Sequence, residues 1–153
     1  MIGEFLERYL RKHGWWYRRR VEQALQLERR GEVRKDGLRL GKMQHRLEIR
    51  WQARDVHPWD RHLPRDTRRA TFIEQSFLDT EAAIARLFEA LPEIDLIDLC
   101  VTEPESGATM LSGTVDRIDF RNARQSPSVR MRLSEMGVSL ESLEMDYNYQ
   151  LPA

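Results

Sequence analysis

Two histidines and two carboxylates fall within eight residues in the run Asp55-Val56-His57-Pro58-Trp59-Asp60-Arg61-His62. Imidazole nitrogens and carboxylate oxygens are ligands for a transition metal, and a His–Asp pair within hydrogen-bond reach can move a proton. His57, Asp60 and His62 are the side chains that would carry either chemistry. Their spacing follows no metal-binding template, and no further ligand is identifiable along the chain. Pro58 stiffens the segment, and Trp59 is expected to plug a pocket. The reading favoured is therefore a structural loop.

A second set of carboxylates, Asp98, Asp116 and Asp119, falls on segments that read as neighbouring strands. Paired carboxylates on adjacent strands can hold a divalent cation for phosphodiester cleavage. That chemistry generally draws on a lysine, and residues 43–153 contain none. Arg117 does not replace it, because a guanidinium does not give up its proton. Asp116 is expected to pair with an arginine instead. No catalytic residue, metal or cofactor is assigned.

The third set is arginine. Arg46, Arg50 and Arg54 recur every four residues along a segment of strand periodicity, which places them about 13 Å apart on one side. Arg18, Arg19 and Arg20 directly follow Trp15, Trp16 and Tyr17. Guanidinium groups beside flat aromatic rings can hold a phosphate backbone and stack its bases.

These arginines belong to a wider asymmetry. Residues 1–69 carry 19 Lys+Arg against 10 Asp+Glu, a net of +9, and residues 70–153 carry 6 against 15, a net of −9. The basic half attracts polyanions, the acidic half repels them, and each can attract the other.

The elements that must position these groups are legible from periodicity. Apolar residues from Ile2 to Leu27 form a helical stripe, interrupted at Gly14 and ended by Gly31. Residues 45–54 alternate, with Leu47, Ile49, Trp51 and Ala53 on one side. Ahead of them, Asp36-Gly37 suits a tight hairpin and Gly41-Lys42 a second turn, giving a three-stranded meander over 32–55. A second helix runs from about Thr67 or Thr71 to Leu91, and Thr71 with Glu74 fits a capping box. Its buried face would be Ile73, Phe77, Thr80, Ile84, Leu87, Phe88 and Leu91. Residues 94–102 are apolar on both sides and read as a central strand. A return strand follows over 108–120, then a loop, a helix over 128–136, and a last strand over 140–149. The order is α-βββ-α-ββ-α-β, an α+β fold with a mainly antiparallel sheet and helices packed on one face.

The length of 153 residues and an apolar content of 41% fit a single folded domain over 1–153. Cys100 is alone, which excludes an intrachain disulfide and suits a reducing compartment. With no secretory h-region and no spanning run, a cytoplasmic location is expected. Glu4, Glu7 and Glu22 argue against laying the first helix on a membrane. The expected function is a non-catalytic module whose basic half contacts a polyanion, either nucleic acid or an acidic protein. The alternative is protein–protein association, including homo-oligomers joined through the opposite charges of the two halves.

Overall fold

The computed structural model describes residues 17–25 and 38–141. Trp15, Trp16, the Asp36-Gly37 turn with the first strand of the expected meander, and residues 142–149 of the last strand lie outside the described residues. A helix, α1, covers 17–25. Two strands follow, β1 (Arg39–Met43) and β2 (Arg46–Gln52), then a 3-10 turn (Pro58–His62) and a long helix α2 (Arg65–Ala90). Strands β3 (Leu96–Thr102) and β4 (Thr109–Asp116) lead to helices α3 (Arg117–Ala123) and α4 (Val129–Glu135), and β5 (Val138–Leu140) closes the described chain. The architecture is α+β, with the helices on one face of a five-stranded mixed sheet in the order β1-β2-β3-β4-β5.

Only β2 and β3 run parallel; every other neighbouring pair is antiparallel. A parallel pair needs a crossover, and α2 supplies it. The alternation of β2 decides which side α2 covers. Leu47, Ile49 and Trp51 are buried, and in register they continue as Ile97, Leu99 and Val101 on β3 and as Val115, Gly113 and Leu111 on β4. The face of α2 that meets them includes Ile73, Phe77, Thr80, Ile84, Leu87 and Phe88, all buried, as the periodicity predicts. Tyr17, Val21 and Leu25 of α1 join the same hydrophobic cluster. At the far edge, β4 and β5 approach closely at Gly113. A Cβ built there would lie 2.1 Å from the Gly137 carbonyl oxygen, so no other residue fits.

Four local expectations are corrected. Gly41 and Lys42 lie within β1; the turn is made at Gln44-His45, with Gln44 in the left-handed region at φ 54°. Helix α2 starts at Arg65 after Pro64, so Thr71 sits inside it, and its hydroxyl donates to the Thr67 carbonyl (2.9 Å) instead of capping. Strand β4 stops at Asp116, which leaves Asp119 on a helix and Ile118 exposed at 65%. Among the described residues Asp116 pairs with no arginine; its carboxylate accepts the Ile118 N–H (2.8 Å) and caps α3.

The C-terminal end of α2 has no basic residue in its last turn. Arg117 supplies the missing cation from α3. Its guanidinium donates to the carbonyls of Phe88 (2.9 Å), Leu91 (2.9 Å) and Ile94 (3.1 Å) and stacks over the Phe88 ring at 4.6 Å. Helix-end carbonyls carry partial negative charge and need donors, and a planar fork reaches several at once. Replacing Arg117 with Ala should lower unfolding free energy by about 3 kcal/mol, and Arg117→Lys should restore less than half of that. Urea denaturation measures both; a loss within experimental error in Arg117→Ala would discard this account of how α2 ends.

Candidate functional site

The arginines picked out by spacing do not form one patch. Arg46 pairs with Asp98 of β3, with Nη2 to Oδ1 at 3.2 Å, and Thr114 donates its hydroxyl to the same carboxylate. Arg54 has left the strand. It grips Asp79 of α2 through two hydrogen bonds of 2.7 and 3.2 Å, and Asp79 is only 8% exposed. Arg20 binds Glu93 with Nη2 to Oε2 at 3.2 Å and reaches the Ala90 carbonyl at 3.1 Å. Arg18 pairs with Glu22 (3.1 Å) and touches the Leu38 carbonyl (3.3 Å). Arg69 binds Glu103 at 2.7 Å.

Four of these five pairs join the basic half to the acidic half: Arg20–Glu93, Arg46–Asp98, Arg54–Asp79 and Arg69–Glu103. Much of the opposite charge in the two halves therefore meets inside one chain. That leaves fewer free charges for joining copies head to tail.

Arg50 stands apart. It remains exposed on the open face of β2, and in register it lies directly opposite Arg39 of β1. Neither pairs with a carboxylate among the described residues. Side chains directly opposite on antiparallel strands start only about 5 Å apart, and like charges there repel. The same transverse row continues through Cys100, Ser112 and Ser139, so a thiol and two hydroxyls share the face with the two cations. Arg39 begins β1 and Arg50 lies near the end of β2, so both sit at the end of the sheet where the parallel strands β2 and β3 terminate.

The His57–His62 loop leaves from that same end. Gln75 of α2 donates to the Arg54 and Asp55 carbonyls (both 3.2 Å), and the Asp55 carboxylate accepts the Val56 N–H (2.8 Å). The His57 Nδ1 accepts the Trp59 N–H at 3.2 Å. That bond occupies the Nδ1 lone pair, so this nitrogen is committed to the turn and is not free to act as a base. Among the described residues no three of His, Cys, Asp and Glu come together so as to hold a metal ion. Trp59 is no plug: it is 79% exposed, the largest exposure among the big apolar side chains of the described residues. Its place outside the core had no sequence signal, because a Pro-Trp pair serves a buried anchor equally well.

Asp98 lies opposite Thr114, while Asp116 and Asp119 are held at the start of α3, so the three carboxylates do not converge on one point. An open depression of about 480 Å³, lined by Arg130, Ser134, Ser139 and Glu141 among others, lies at the β5 edge, across the sheet from Arg39. No helix among the described residues is long and apolar enough to cross a membrane. Compared with protein-family models, with curated proteins and with solved structures, the chain matches none.

Tyr17 reports on the Arg20–Glu93 pair. Burial pushes its phenol up to about 12, the Glu93 carboxylate adds to the rise, and Arg20 opposes it. A phenol whose folded pKa exceeds its unfolded value near 10 favours the folded state fully below pH ~10. That contribution is lost as pH rises from ~10 to ~12, at a cost of about 2–3 kcal/mol. Absorbance titration should show one of the four tyrosines ionising late, and Tyr17→Phe should remove that phase. A late phase that persists in Tyr17→Phe would refute the assignment.

Proposed function

We propose that this chain is a non-catalytic binding module that contacts a polyanion, nucleic acid before any other, through arginines of its basic half. One observation carries the reading: Arg39 and Arg50 face each other across β1 and β2 on the open side of the sheet with no carboxylate partner among the described residues. Two guanidinium forks that start from directly opposite positions repel when they approach each other unless an oxyanion sits between them, and a phosphodiester oxygen suits the geometry of the fork.

The contact surface in this reading is narrower than the charge count implies. Arg20, Arg46 and Arg54 are engaged by carboxylates of the acidic half, and Arg39 joins Arg50 as a contact residue. An acidic protein segment would satisfy the same forks, and competition by polyglutamate separates the two partners.

The test is a fluorescence-anisotropy titration with a labelled oligonucleotide between about 50 and 200 mM salt, a range over which phosphate contacts weaken steeply. The Arg39→Ala/Arg50→Ala variant should bind roughly tenfold more weakly and show a salt slope smaller by about 1.4–1.8, as expected for two lost phosphate contacts. Absence of binding at the lowest salt, or an unchanged slope in the double variant, overturns the reading.

A further inference from the structure

An indole that is 79% exposed leaves a large flat apolar surface in water, against the burial tendency of the residue. Trp59 is not exposed because its backbone is loose. Pro58 and Pro64 bracket the turn, Asp60 N–H donates to the His57 carbonyl (2.8 Å), and Leu63 N–H donates to the Asp60 carbonyl (3.1 Å). The His57 ring stands at 88° to the indole with centroids 5.4 Å apart, which fixes the ring direction further. Gln75 and the Arg54–Asp79 pair tie the root of the loop to α2. A rigid, protruding aromatic ring loses little entropy when a partner covers it.

Arg61 and His62 follow in the same turn and Arg65 starts α2, all exposed, and neither arginine pairs with a carboxylate among the described residues. Asp55, Asp60 and Asp66 are interleaved with them, so the loop has little net charge. A strictly electrostatic partner such as an acidic peptide gains little here and has no counterpart for the indole. A nucleic acid base does have one, because every base presents a π-face. In a duplex those faces are already stacked on each other, whereas in a single strand they are free.

We propose that Trp59 is a stacking platform for an unpaired base of a single-stranded polynucleotide, whose flanking phosphates reach Arg61 and Arg65. The inference rests on the polyanion reading and narrows it from nucleic acid in general to single strands.

The full-length chain, as wild type, Trp59→Ala and Trp59→Phe, is titrated against labelled oligothymidylate of about 20 nucleotides and against a duplex of the same length at about 50 mM salt. Trp59→Ala should weaken single-strand binding roughly tenfold, Trp59→Phe should stay within about threefold of wild type, and duplex binding should be the same in all three. Trp59 contributes no buried core surface, so the variants should fold; far-UV dichroism confirms it. If the wild type binds oligothymidylate and Trp59→Ala binds it equally well, or loses duplex binding to the same extent, stacking is overturned while the polyanion reading stands. If neither nucleic acid binds, both readings fall together. Sedimentation as a dimer that Trp59→Ala dissolves would assign the indole to a protein contact and overturn the proposal.

Discussion

Arg117 closes the one connection on which the sheet order depends. Parallel neighbours β2 and β3 can be joined only by a crossover, and the end of that crossover, the turn over 91–95, must return the chain at the register that sets Ile97 beside Leu47. A slip of one residue would turn every buried side chain of β3 to the opposite face. The turn is held by the residue that follows β4, the strand next to β3. Arg117 donates its guanidinium to the carbonyls of α2 and the turn, and its own N–H to Asp95 (2.9 Å). The residue before it, Asp116, caps α3 with its carboxylate. Adjacent residues of opposite charge thus serve helix ends of opposite polarity, as the helix dipole favours.

The charge asymmetry takes on a structural meaning in this light. Four arginines of the basic half reach carboxylates of the acidic half. The Arg54–Asp79 pair is the most enclosed of these, and breaking one member would leave a nearly buried charge without its partner, a costly outcome. The more exposed pairs, such as Arg46–Asp98, contribute less to stability. What they do is remove cations from the list available to a ligand. Arg39 and Arg50, which no carboxylate pairs among the described residues, lie at the end of the sheet where β2 and β3 finish and the loop to α2 begins.

How much of this was legible in the chain follows from range. Strand β2 alternates because one face is dry and the other wet, so Leu47, Ile49 and Trp51 declared themselves. The six apolar positions from Ile73 to Leu91, with Thr80 among them, mark the covered side of α2 for the same reason. Apolarity on both sides of residues 94–102 correctly placed β3 in the centre. The first turns of α2 were missed because Arg65, Asp66, Arg68 and Arg69 are at or near the surface and show no apolar period. The turn at Gln44-His45 was missed because a glutamine at positive φ leaves no mark, whereas Gly41-Lys42 offers a false one. Ion pairs between residues 25 to 73 positions apart, such as Arg54–Asp79 and Arg20–Glu93, have no local signature at all.

The misreading of Trp59 differs in kind from the others. A misplaced turn or helix start reflects weak local signal, and the fold absorbs it without cost. An indole held in water by two prolines and three hydrogen bonds runs against the burial preference that organises the other large apolar side chains among the described residues, except Leu78, Ile118 and Met131. Those three lie on helices, where one exposed apolar position is an ordinary consequence of a wide stripe. Trp59 lies on no such stripe, and its loop is braced at both ends. Where consistent local and global preferences give way at a rigid position, a requirement other than stability is the physical explanation. A surface that must be flat, apolar and fixed before its partner arrives meets that description.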